Sequence, residues 1–92
     1  MARVLIVDDD ELIGEMLSVM VEDMGHSASS ATTLKAGFEK ASSDNFDVIF
    51  LDIRMPDGNG LDLLPKIREL PLHPEVIIIT GRGDPDGAEL AI

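Results

Sequence analysis

A doubly wound α/β domain is the fold class this sequence predicts, with a parallel sheet in strand order 2-1-3-4. Three observations carry that expectation. Val4-Leu5-Ile6-Val7, Val48-Ile49-Phe50-Leu51 and Val76-Ile77-Ile78-Ile79 are short, unbroken apolar runs, the mark of strands buried on both faces of a sheet. Each run meets polar or turn residues and then apolar residues at helical spacing. The connections are short, which leaves βαβ units with right-handed crossovers as the simplest topology.

The elements follow in order. The first strand ends at Asp8-Asp9-Asp10. Leu12, Ile13, Met16, Leu17, Met20, Val21 and Met24 then recur at helical spacing, with Glu11, Glu15, Glu22 and Asp23 largely opposite. Asp10 suits the N-cap and Gly25 the C′ position, and the methionine-rich face is expected to pack in the core. His26-Ser27-Ala28-Ser29-Ser30 is short and polar and fits only an edge strand, with the first and third strands side by side in the centre. Thr32 or Thr33 caps a second helix that carries Leu34, Phe38 and Ala41 inward and ends near Ser42-Ser43.

The third strand runs into Asp52 and a Pro56-Asp57-Gly58-Asn59-Gly60 loop, where Pro-Asp-Gly marks Asp57 as a turn former. Leu61, Leu64 and Ile67 mark a third helix, with Asp62 and Lys66 paired at i, i+4. Pro65 removes a helical donor, so this helix is expected to kink or begin late. Pro71 and Pro74 close it. Glu75 opens the fourth strand, which reaches Thr80. Gly81-Arg82-Gly83-Asp84 is a loop, Pro85 suits a first helical turn, and Ala88 to Ile92 begins a fourth helix.

Composition narrows the function classes. The 92 residues make one domain, residues 1–92, and 45% hydrophobic with 27% charged residues is a globular balance. No apolar run approaches the ~20 residues of a membrane span. Zero cysteines exclude disulfides and thiolate metal sites and suit a cytoplasmic location. A formal charge of −11, from 18 acidic and 7 basic residues, argues against direct contact with nucleic acid or an anionic membrane. It favours cations or a basic surface on a partner protein.

The chemistry gathers at one end of the sheet. Parallel α/β sheets bind ligands in the crevice outside the carboxyl ends of their strands, where Asp8, Asp9 and Asp52 meet. Two unit charges ~4 Å apart repel by about 4 kcal/mol at an effective dielectric of 20, a cost that a divalent cation removes. Oxygen donors with no His or Cys beside them select a hard ion, and a small half-hydrated site suits Mg²⁺. One carboxylate can then attack phosphorus while neighbouring donors stabilise the equatorial oxygens. Thr80 can offer one of those oxygens its hydroxyl, and Gly81 beside it leaves space for the phosphoryl group.

On these residues the chain resembles a bacterial two-component response-regulator receiver domain, a flavodoxin-like fold. The matching features are the Asp8-Asp9 pair after the first strand, Asp52 after the third, Pro56 four residues on, Gly60 eight residues on, and Thr80 ending the fourth strand. The resemblance implies that Asp52 accepts a phosphoryl group from a phosphohistidine of a sensor histidine kinase. It implies that Asp9 binds Mg²⁺ directly and Asp8 directly or through water, with the backbone carbonyl of Arg54 as a further ligand beside Asp52. Thr80 would swing toward the acyl phosphate, and Arg54 and Arg82 would line the site and tune dephosphorylation. Thr80-Gly81-Arg82-Gly83-Asp84 and Gly60-Leu61-Asp62-Leu63-Leu64-Pro65 look most like receivers of NtrC-type transcription activators. Such a domain is a phosphorylation-controlled binding module rather than a turnover enzyme, with a C-terminal output domain acting in transcription regulation.

One departure stands out. The family's fifth strand and helix are missing here, and none of Lys35, Lys40 and Lys66 matches the lysine which that strand carries. The chain therefore resembles a receiver truncated within its fourth helix, a fragment of a longer protein, with the Thr80 strand as an exposed edge that a homodimer can pair. Two alternatives compete. Asp8-x-Asp10 mimics the opening motif of haloacid-dehalogenase-type phosphohydrolases, against which the Pro56/Gly60 loop argues. A receiver-like dimerisation module independent of phosphate fits the missing lysine element.

Overall fold

The computed structural model of the chain describes residues 1–79; Thr80, Gly81, Arg82 and the expected fourth helix lie outside the described residues. The chain runs β1 (Arg3–Val7), α1 (Glu11–Asp23), β2 (Ser27–Ala31), α2 (Leu34–Ser43) and β3 (Val48–Asp52). Two-residue strands β4 (Arg54–Met55) and β5 (Gly58–Asn59), a 3₁₀ turn (Gly60–Leu63), α3 (Leu64–Arg68) and β6 (Glu75–Ile79) follow. The four long strands form one parallel sheet in the order β2-β1-β3-β6, the 2-1-3-4 order expected. Polar β2 takes an edge, where the Lys40 ammonium reaches the Ser30 carbonyl at 2.6 Å. The hairpin of β4 and β5 was not foreseen.

Alternation along the strands sorts their side chains between two faces. Leu5, Val7, Ile49 and Leu51 pack with Ala41, Met55, Leu63 and Ile67 beneath α2 and α3, while Val4 and Ile6 pack with Val21 of α1. The expectation that every apolar strand is buried on both faces holds only in part: Phe50 is half-buried and Ile77 exposed.

Helix α1 is bounded as expected. Asp10 accepts from the Leu12 and Ile13 N–H groups. Gly25, at φ +90°, sits where the chain turns away, with the Gly25 and His26 amides closing on the Glu22 and Val21 carbonyls. Its methionine face, expected in the core, is corrected. Leu12, Met16, Met20 and Met24 are 55–72% exposed, and Val19 is exposed beside them. The helix settles instead by Gly14 and Val21, with Gly14 close to Ser30. Each residue turns a helix by about 100°, so seating it there swings the neighbouring methionine row to solvent.

Pro65 has the expected consequence: α3 begins late, after a 3₁₀ turn, with the proline in its first turn. The tighter winding also spoils the Asp62–Lys66 spacing. No such ion pair forms among the described residues, and the Lys66 ammonium lies 6.0 Å from the Phe38 ring centre.

Candidate functional site

Strand register builds the site. Val7 is opposite Leu51 across β1 and β3, and Asp52 opposite Ile79, so Asp8 and Asp52 come to the same end of the sheet. Asp8, Asp9 and Asp52 each offer a carboxylate oxygen, and these oxygens lie within 4.8 Å of one another. Asp8 and Asp52 are 5% and 2% exposed, while Asp9 is half-buried. Burial of acidic groups this close is unfavourable unless hydrogen bonds and a cation offset it. The Asp10 amide donates to Asp8 Oδ1 at 2.9 Å and the Arg54 amide to Asp52 Oδ1 at 3.2 Å. Oxygen donors alone, close together at strand ends, fit a hard divalent cation and no soft one.

The segment after Asp52 is held from both sides. The Gly60 amide donates to the Ile53 carbonyl at 2.7 Å, and a Cβ at Gly60 would run into the Asp52 carbonyl. Only glycine lets the chain return so close beneath the acidic cluster. Asn59 then caps the 3₁₀ turn through the Leu61 amide.

Three of the candidate residues, Asp8, Asp9 and Asp52, are therefore brought together, and Arg54 is joined to Asp52 through its backbone amide. Thr80, Gly81 and Arg82 lie outside the described residues. Asp10 is engaged in capping α1, which leaves the Asp8-x-Asp10 dehalogenase-like motif without its second arm. One tertiary contact near the site escaped the sequence. Asp57, expected only to form a turn, accepts from the Leu34 and Lys35 amides at 2.9 and 3.0 Å, and these bonds hold its carboxyl below the usual carboxylate range. The partners are 23 and 22 residues away, beyond any local pattern.

A parallel sheet in this order with carboxylates converging at its carboxyl end defines a receiver-type α/β domain, and the comparisons place the chain there. It belongs to the response regulator receiver domain family, whose model matches residues 4–92. It is 36% identical over 90 residues to the response regulator protein PilR of Pseudomonas aeruginosa, covering 98% of this chain and 20% of that protein. With the response regulator ArlR of Staphylococcus haemolyticus it shares 33% over 84 residues, covering 91% of this chain and 38% of the relative. The chain thus spans well under half the length of these relatives. Among solved structures it is similar to the beryllofluoride-activated NtrC4 receiver domain dimer (42% identity, TM-score 0.83, 99% of this chain and 75% of that one). It is also similar to a CheY-like receiver domain protein from Methanospirillum hungatei (30%, TM-score 0.85, 99% and 73%).

Proposed function

We propose that this domain is the phosphoacceptor of a two-component signalling system, with Asp52 taking a phosphoryl group from a phosphohistidine of a sensor histidine kinase. The convergence of three carboxylates at the strand ends is the observation that carries it. An Asp52 carboxylate oxygen attacks phosphorus, the P–N bond to the imidazole breaks with its electron pair left on nitrogen, and an acyl phosphate forms. Asp8, Asp9, Asp52 and the Arg54 backbone carbonyl would hold Mg²⁺, which when bound neutralises the carboxylates and the incoming phosphoryl charge. Thr80 contacts the phosphoryl oxygens through its hydroxyl, Gly81 leaves them room, and Arg82 lines the site; for these three the support is the family resemblance. The exposed Leu12, Met16 and Met20 of α1, a row that starts two residues after Asp10, offer an apolar surface to the kinase. Relatives named as transcriptional regulatory proteins support an output in transcription regulation from a further domain, and the NtrC4 receiver dimer supports a homodimer.

Intact mass after incubation with Mg²⁺ and a small phosphodonor tests this. The chain is expected to gain one hydroxylamine-labile phosphate, absent in Asp52→Asn and after chelation. Labelling that persists in Asp52→Asn would remove Asp52 from the role.

A further inference from the structure

The hairpin that follows Asp52 is too short to hold itself. Strands β4 and β5 contribute only the pairs Arg54–Asn59 and Met55–Gly58, and a small isolated hairpin is marginal in water. At its root it is tied by the Gly60–Ile53 and Arg54–Asp52 hydrogen bonds. At its tip it is tied to a different element. Asp57 Oδ1 takes the Leu34 amide and Oδ2 the Lys35 amide, while Thr33 Oγ1 takes the Ala36 amide at 3.0 Å. Helix α2 would otherwise leave these first-turn donors to solvent, and a carboxylate there also meets the positive end of the helix dipole. Beside this tie, a cleft of about 370 Å³ separates the hairpin side from α2, with Phe38 and Lys66 among its walls. Apolar packing shares the work: a Cβ at Gly58 would stand 3.4 Å from Leu34 Cδ1, and Met55 lies in the core against which Leu34 and Phe38 pack, so the Asp57 bonds are the polar part of the hairpin's seat on α2.

We propose that Asp57 is a positioning residue for the metal site. Holding the hairpin tip on α2, it sets where the Arg54 backbone carbonyl stands relative to Asp8, Asp9 and Asp52. The proposal rests on the reading above, in which that carbonyl is a Mg²⁺ ligand. The tie is exposed, so it can open without unfolding the core, and α2 is then mechanically joined to the state of the site.

A Mg²⁺ titration followed by amide NMR on the full chain tests it, in the native protein and in Asp57→Ala, Asp57→Asn and Thr33→Ala. In the native protein, Mg²⁺ shifts the Asp8, Asp9 and Arg54 amides and, along the same binding curve, those of Leu34 and Lys35. Asp57→Ala raises the Mg²⁺ Kd by about tenfold, the lower end of what partners supporting a metal site contribute, and silences the Leu34 and Lys35 response. Asp57→Asn, which keeps one acceptor oxygen, falls between. Thr33→Ala removes a cap from the same helix turn, lowers thermal stability and leaves Mg²⁺ affinity unchanged. Should Asp57→Ala not fold, Asp57→Asn decides by the same comparison. Equal Mg²⁺ affinity in the Asp57 variants and the native protein overturns the positioning role, as does an equal loss in Thr33→Ala. If Mg²⁺ moves no amide at the three aspartates in the native protein, the metal site itself fails, and the role of Asp57 with it.

Discussion

On one face of the sheet, α2 and α3 close over Leu5, Val7, Ile49 and Leu51, each 1% exposed or less. On the other, α1 covers Val4 and Ile6 among the described residues, while Phe50 stays half-buried and Ile77 exposed. The two faces divide the work. The first also buries Met55 of the hairpin and Leu63 and Ile67 after it, so the packing that stabilises the fold also fixes the segment leaving Asp52. The second buries Val4, Ile6 and Val21 and leaves Leu12, Met16, Val19 and Met20 of α1 exposed among the described residues.

The strongest way to sharpen this contrast is to empty one residue on each face. Ile67→Ala, at a site 0% exposed, is expected to lose about 2–5 kcal/mol, because a cavity opens as well as apolar surface being lost. Leu17→Ala on the α1 side deletes the same number of carbons from a half-buried site and is expected to lose only about 1–2 kcal/mol, since part of that surface already meets water. Urea unfolding of both variants measures the difference, and equal losses would break the distinction. A smaller effect on stability separates recognition from packing. Met16→Ala and Met20→Ala, both on exposed side chains, should stay within about 0.5 kcal/mol of the native protein while slowing phosphotransfer from the kinase. Unchanged transfer would take the kinase off α1.

The smallest effect lies at the Asp57 tie. Its carboxyl is lowered by the Leu34 and Lys35 amides, so its contribution is fully present above the ordinary carboxylate pKa of about 3.9 and is lost as pH falls through the lowered folded value. Lys35 and Lys66 among the cations, and Glu39 and Asp62 among the acids, line the cleft beside it, and salt screens them all. The Leu34 and Lys35 amide signals should hold steady from neutral pH to about 4 and move only below it. Movement beginning well above that range would show that the carboxylate does not hold these amides.

Elements whose signals are local were legible in the sequence. The apolar runs before Asp8 and Asp52 placed two central strands, and Asp10, Gly25, Thr33 and Pro65 marked helix ends through chemistry confined to a few residues. From those strands the meeting of Asp8, Asp9 and Asp52 followed. What failed was the side on which α1 would rest. Seven apolar residues wrap too much of that helix for periodicity to choose, and the contact of Gly14 with β2 chose instead. The role of Asp57 was hidden for a related reason, since its partners belong to a helix that only the tertiary fold brings near.

The approach of Gly60 to the Asp52 carbonyl has a consequence for chain length. The segment from Ile53 to Gly60 is closed at its base by the Gly60–Ile53 hydrogen bond and pinned at its far point by Asp57, so it is a ring of set circumference. Apart from Asp57 and the two glycines, Gly58 at φ +148° and Gly60 against the Asp52 carbonyl, exposed residues of such a ring can be exchanged with the outline preserved. Adding or removing one must either part the base beneath Asp52 or lift the far point off α2. Between these two residues the spacing of the sequence, more than the identity of its outward side chains, is under physical constraint.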